Sequence, residues 1–322
     1  MGHRACARGL LLEILCGVTG KLAIVGANGF VGRHVVAHAA AEGWEVTGVV
    51  RSAPAARVVA AAGGDPVELV GRDPQALVRA LEGARAAVHL AQIGAERSGQ
   101  TYEAVNVGFT GRVLEAAREA AVPRVIYFSG LGVTRYGMSR RCTNGYFLSK
   151  LSAEALVFRS DLDGCVFRPS FVIGPGDGLV SSVLGGLAAG EVVRPGDGSY
   201  RMQPIGVADV TALVLAAASR PPGAFPRVFD LVGPEAVSYA RLLERLAAAA
   251  ASAGRPAALR VREIPIGEAD RQAREGGYQG MLPDELDCLL CDEVADPAPL
   301  VDLLGRPLQP LDAVLAVAVR AA

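Results

Sequence analysis

Along most of this chain, short apolar runs alternate with stretches whose apolar positions recur at helical spacing, and that alternation predicts strand–helix–strand units. Leu22 to Val25 is the first run; Val31, Val35 and Ala39 then form one helical face, and Trp44 to Val50 supplies a second run. The rhythm continues through Pro66 to Val70, Gln75 to Leu81, Ala86 to Ala91, Tyr102 to Ala120 and Arg124 to Phe128. Such a chain is expected to be α/β, a doubly wound parallel sheet with helices on both faces and ligands at the carboxyl ends of the strands. No internal repeat is visible, and the Ala-rich tract Leu246 to Ala253 reads as a helix rather than a linker.

Between the first run and the first helical face lies Gly26-Ala27-Asn28-Gly29-Phe30-Val31-Gly32. Glycines there let the backbone approach a pyrophosphate, and the helix that follows offers unpaired N–H groups and its positive dipole end. The spacing is G-x-x-G-x-x-G, with Asn28 where the broader dinucleotide fingerprint has its middle glycine; Asn tolerates the left-handed region, so the turn is expected to survive. An acidic residue after the second strand would bind ribose hydroxyls, but this chain has Arg51 there, with Arg33 just past Gly32 and Arg57 nearby. A guanidinium suits a 2′-phosphate, which favours NADP(H) with NAD(H) as the alternative; a solvated loop arginine is the competing reading of Arg51.

Composition narrows the partners. In 322 residues, 51% hydrophobic, a large core can be buried; a net charge of −1 and 5% aromatics give neither a basic stripe nor a stacking platform for nucleic acid. The six cysteines, Cys6, Cys16, Cys142, Cys165, Cys288 and Cys291, follow no repeating pattern and read as reduced thiols of a cytoplasmic protein. No metal site is expected: Cys288 and Cys291 lack a second pair, and His34 and His38, one turn apart, lack further ligands. Residues 1–18 carry Arg4, Arg8 and an apolar run broken by Glu13, and are expected to be an extension rather than a signal peptide. No stretch is long and apolar enough to span a membrane, which leaves peripheral association open.

Tyr146-Phe147-Leu148-Ser149-Lys150 is the second chemical constellation. Four-residue spacing puts the phenol and the ammonium on one helical face. A neighbouring ammonium favours phenolate and is also able to hold a nicotinamide ribose, so Tyr146 is a candidate acid/base for hydride transfer; an ordinary amphipathic helix is the alternative.

With these motifs in hand, the chain from about Lys21 onward resembles the extended and atypical branches of the short-chain dehydrogenase/reductase superfamily, the epimerase/dehydratase-like proteins. Val88-His89-Leu90-Ala91 looks like that family's strand-four loop over the cofactor, Asn106 lies in the similar stretch Val105 to Thr110, and Phe167 to Asp177, with Pro169 and Ser170, resembles its nicotinamide-side loop. Ser129-Gly-Leu-Gly132, Gln203 to Val210, Leu231 to Glu235 and Leu282 to Asp292 are similar to relatives of the accessory NADPH-binding subunit of respiratory complex I. The resemblance implies a cofactor site built from Gly26, Asn28, Gly29, Phe30, Val31, Gly32, Arg33, Arg51, Leu90, Ala91, Asn106, Lys150, Pro169 and Ser170, and a catalytic set of Tyr146, Lys150 and Ser129. It also implies an NADP(H)-dependent oxidoreductase or epimerase acting on a small carbonyl or carbinol substrate, or else a non-catalytic NADPH-binding structural or sensor protein.

Two departures from the family pattern bear on catalysis. Active members carry a Ser or Thr soon after the fifth strand to bind the substrate oxygen, whereas Gly130 and Leu131 stand there, with Thr134 or Thr143 as substitutes. Val70 takes the place of an Asp that contacts adenine. The expected organisation is a Rossmann core over 19–175, to which 204–232 returns, and a smaller lobe from 176–203 and 233–322 that covers the nicotinamide. Arg194, Tyr200, Arg201 and Gln203 are candidates for substrate contact, with surface-loop duty as the alternative; oligomeric state is not written in these motifs.

Overall fold

A computed structural model describes residues 19–69, 73–138, 143–221, 223 and 227–322. The extension 1–18, Val70 and the thiols Cys6, Cys16 and Cys142 lie outside the described residues.

The apolar runs become parallel strands. Lys21–Val25 (β1), Glu45–Val50 (β2), Asp65–Glu68 (β3), Ala84–His89 (β4), Arg124–Phe128 (β5) and Asp163–Pro169 (β6) join with the late strand Val228–Leu231 in one sheet, in the spatial order late strand, β6, β5, β4, β1, β2, β3. The order reverses direction between β1 and β4, which opens a crevice above their carboxyl ends, where open α/β sheets bind ligands. β1 and β5 are almost wholly buried, as strands covered on both faces must be.

Helices clothe both faces. Phe30–Ala41 (α1) buries Val35, Val36 and Ala39 and packs on a later helix, Val207–Ser219; His38 bonds Thr211 Oγ1 at 2.7 Å and His34 bonds the Pro175 carbonyl at 3.0 Å, so both histidines serve packing. On the other face lie Pro74–Leu81 (α2 being Ala53–Ala61, this helix α3), Phe109–Glu119 (α4) and Gly145–Arg159 (α5). A π-helical turn, Glu103–Gly108, leads into α4.

A second apolar cluster lies beyond the sheet and draws on Gly178–Ala189 (α6), Tyr239–Ser252, Pro283–Leu290 and Leu311–Ala321. The Ala-rich tract is helical, within Tyr239–Ser252. Leu300, Leu303 and Leu308 near the C-terminus pack with the sheet's own cluster instead. Among the described residues, no helix is long and apolar enough to cross a membrane.

Candidate active site

The glycine turn owes its shape to two close approaches. Gly26 has φ +88°, and a Cβ there would lie 2.7 Å from the Ala91 amide nitrogen; at Gly32 it would lie 2.4 Å from the Gly26 carbonyl oxygen. Both positions therefore exclude a side chain, and they hold β1, the start of α1 and the loop after β4 together. Asn28 is exposed and is not among the residues with positive φ, so the left-handed conformation expected of it falls on Gly26 instead. Gly29 precedes α1, whose start has no side-chain cap and no acidic residue in its first turn. Uncapped N–H groups beside a glycine cradle fit a pyrophosphate.

A cleft of about 530 Å³ opens from that turn across the strand ends. Its walls include Gly26, Gly29, Phe30, Val31, Gly32, Leu90, Ser129, Tyr146, Pro169 and Ser170, all singled out from the sequence, together with Gln92, Gly94, Phe128, Gly130, Phe147, Phe171, Val172, Glu285, Cys288 and Glu293. Asn28, Arg33, Arg51, Ala91, Asn106 and Lys150 are not in its lining. Arg33 reaches the carbonyls of Pro175 and Gly176, each at 3.2 Å, and Arg51 is exposed beyond β2. Asn106 works from behind: it accepts from the Ile93 N–H at 2.9 Å and donates to the Ile93 carbonyl at 3.0 Å and to Ser149 Oγ at 2.9 Å, pinning the loop that forms one wall. Among the described residues, no Lys or Arg lines the cleft.

Tyr146 and Lys150 share one face of α5, as their spacing predicts, and Gln92 lies between them: it accepts a bond from Lys150 Nζ and faces the Tyr146 phenol. Lys150 Nζ also donates to the Phe128 carbonyl at 2.5 Å and sits 4.5 Å from the centre of the Tyr127 ring. Burial brings the Lys150 ammonium down to about 7, with Glu154 pulling it back up. The Tyr146 phenol stands above its ordinary value, first through burial and then through Cys288 and Glu293, while Gln92 opposes them. The lowering expected from an adjacent ammonium is thus outweighed by desolvation, and the phenol is held as an acid.

The loop after β5 shows what the missing hydroxyl leaves behind. A Cβ at Gly130 would lie 3.6 Å from Tyr146 Oη, in ordinary contact, whereas Leu131 is turned into the core. Ser129 is buried, its N–H donates to the Phe167 carbonyl at 2.7 Å, and its Oγ has no partner among the described residues. Thr134 bonds the Leu131 carbonyl at 2.9 Å and is not in the cleft lining.

From the far side, Pro283–Leu290 brings Glu285 and Cys288 to the cleft. Tyr102 Oη donates to Asp284 Oδ2 at 2.9 Å and Asn144 Nδ2 donates to the Asp284 carbonyl at 3.2 Å, which fastens this helix over the site. Glu293 follows it, and burial pushes its carboxyl up to about 8. Gln92 and Glu293 escaped the reading of the sequence, since neither sits in a chemical motif. The candidate substrate contacts are not in the cleft lining. Arg194 pairs with Glu263 at 3.0 Å, Tyr200 stacks on Tyr239 with ring centres 5.4 Å apart, Gln203 Nε2 donates to the Gly233 carbonyl at 2.7 Å, and Arg201 is exposed, its backbone N–H donating to Asp292 at 2.7 Å.

Comparison with known proteins matches this geometry. The model of the NAD dependent epimerase/dehydratase family matches residues 22–231. A ceramide reductase of Caulobacter vibrioides (strain NA1000 / CB15N) is 31% identical over 214 residues, covering 63% of this chain and 62% of that protein. The mitochondrial NADH dehydrogenase [ubiquinone] 1 alpha subcomplex subunit 9 of Arabidopsis thaliana is 25% identical over 235 residues, covering 70% and 57%. The chain thus matches less than two thirds of the length of either relative. Among solved structures, MoeE5 in complex with UDP-glucose and NAD superposes with a TM-score of 0.68 at 24% identity, covering 94% of this chain and 98% of that one.

Proposed function

The chain belongs to the NAD dependent epimerase/dehydratase family, and from that premise we propose that it is an oxidoreductase exchanging hydride between a nicotinamide dinucleotide and a neutral carbonyl or carbinol compound, with Tyr146 as acid/base. The observation that carries this reading is the cleft of about 530 Å³ that runs from the glycine turn to the Tyr146 phenol.

The glycine turn and the start of α1 would hold the pyrophosphate, with Leu90, Pro169 and Ser170 along the way to the reactive ring. When bound, the nicotinamide supplies or accepts the hydride at the substrate carbon. In the reducing direction the substrate oxygen gains charge as the carbonyl π bond opens, and Tyr146 gives up its phenolic proton to that oxygen. Lys150 stabilises the phenolate left behind, from a position one helical turn along α5. In the oxidising direction the same groups take the proton back.

Substrate chemistry follows from the walls. Phe128, Phe147 and Phe171 give the cleft apolar walls. This favours a lipophilic ketone or alcohol over a nucleotide sugar, and the relation to a ceramide reductase points the same way. We further propose a preference for NADP(H), because exposed Arg51, rather than an acid, follows β2. The rival reading, a protein that binds NADPH without turnover, is favoured by Gly130, which brings no hydroxyl to Tyr146.

Purified protein with NADPH and a panel of neutral ketones, followed by loss of NADPH absorbance, separates the two. Turnover is expected in the wild type, and Tyr146→Phe should lower it by about 10²–10⁴-fold while leaving the NADPH-induced thermal shift in place. A strong thermal shift without turnover of any ketone would leave the binder.

A further inference from the structure

We propose that Glu293 is a substrate-positioning side chain of this cleft, its carboxyl holding the substrate oxygen opposite Tyr146 in the space that Gly130 leaves without a side chain. The inference rests on the oxidoreductase reading above.

Its first support is placement. Glu293 lines the same cleft as Tyr146, Gly130 and Ser170 although it is 6% exposed. The carboxyl faces the Gly132 N–H and the Ser170 hydroxyl, so it reaches the loop after β5 that also holds Gly130. The Tyr146 phenol and the Cys288 thiol are the titratable groups that feel its charge, and both are pushed up by it.

Its second support is rigidity. The Glu293 N–H donates to the Arg201 carbonyl at 2.8 Å, the residue bridges to Met202, and Ser170 Oγ bonds its carbonyl at 3.4 Å. A backbone held on both sides fixes where the side chain starts, which is what a positioning group requires.

Its third support is the cost of the arrangement. Among the described residues no Lys or Arg acts on this carboxyl, only the Ser170 hydroxyl and the Gly132 N–H, and a buried carboxylate without a countercharge is expensive. Burial keeps it in the acid form up to about pH 8, and the acid form has an O–H to donate. In carbonyl reduction the hydride adds to carbon, the Tyr146 proton passes to oxygen, and Glu293 keeps its own proton while its hydrogen bond strengthens as charge gathers on that oxygen.

Two variants and one probe test this. Reduction of benzil, a neutral apolar diketone, by NADPH is followed from about pH 6 to about pH 10, with NADPH-induced thermal shifts confirming that each variant is folded and loaded. Glu293→Leu should lose about 10²-fold in kcat/KM, the penalty of removing one donor to a developing oxyanion. Glu293→Gln retains an N–H donor and should recover to within about tenfold of wild type. Wild-type kcat/KM should fall as pH rises through about 8, where the acid ionises, and the glutamine variant should lack that limb, while the Lys150 titration near 7 persists in both. In cofactor-free protein, the infrared band of a protonated carboxyl should fade across the same pH range and be missing from the glutamine variant.

Wild-type rates in both variants with benzil turned over overturn the inference and leave the oxidoreductase reading standing. So does a large loss in Ser129→Ala with none in Glu293→Leu, which would assign the role to the unpartnered Ser129 hydroxyl. Tight NADPH binding with no reduction of benzil or of any ketone in the panel removes both readings together.

Discussion

Replacing Lys150 with methionine removes a buried cation while keeping most of its volume, and should stabilise the protein near neutral pH while abolishing turnover. Lys150 is 1% exposed, and burial lowers its ammonium to about 7 from the 10.5 of a solvated lysine. Between those values the unfolded chain holds a proton that the folded chain has released, so wild-type stability rises with pH there by up to about 1.4 kcal/mol per pH unit. Below about 7 both states are charged and the whole desolvation cost remains, at most ~5 kcal/mol. Methionine escapes that cost but leaves the Phe128 carbonyl without its 2.5 Å donor; Gln92, which also loses Lys150, is exposed and can turn to water. Such an unsatisfied acceptor costs about 1–3 kcal/mol at any pH. The variant should therefore be more stable than wild type by about 2–4 kcal/mol at about pH 6 and less stable at about pH 10. Urea unfolding of both cofactor-free proteins across this range provides the measurement, and the difference between them cancels the other titrations, including the opposite trend of Glu293. A difference that stays constant with pH would refute the argument, because it would mean that Lys150 keeps its solvated pKa inside the fold.

Gly130→Ser should be accepted, since its Cβ would stand 3.6 Å from Tyr146 Oη, and should raise kcat/KM for neutral ketones by up to about tenfold through one added donor; an inactive but folded variant would contradict the placement. Gly32→Ala puts a methyl 2.4 Å from the Gly26 carbonyl oxygen, so thermal shifts with both NADPH and NADH should collapse, with about 1–3 kcal/mol lost in stability. Arg51→Ala should shrink the NADPH-induced thermal shift toward that of NADH and leave the NADH shift alone; equal shifts in the wild type would remove the 2′-phosphate assignment.

Several features were legible because their physics is local. A buried apolar run, a glycine turn and an uncapped helix start follow one another within Leu22 to Val35, so neighbouring residues suffice to announce a dinucleotide cradle. Tyr146 and Lys150 share a helix, and four-residue spacing by itself brings them to one face. The packing duty of His34 and His38 likewise follows from the absence of further ligands nearby.

Other properties depend on distance through the fold. Burial sets the protonation of Lys150, Tyr146 and Glu293, and burial is a property of what other segments cover, which reverses the expectation that an adjacent ammonium lowers the phenol. Asn106 belongs to the site through the Ile93 loop it pins rather than through the cleft, and Asn28 does not supply the left-handed turn because Gly26 already does. Gln92 reaches Tyr146 and Lys150 from the end of another strand, and Glu293 arrives from the far lobe after more than half the chain has passed. The amino-acid sequence alone determined the glycine turn and the pairing of Tyr146 with Lys150 on one helical face, because turn chemistry and helical periodicity act between near neighbours. Only the tertiary structure decided which groups line the cleft and which way burial moves their protonation, because desolvation and long-range contact exist only once distant segments have packed together.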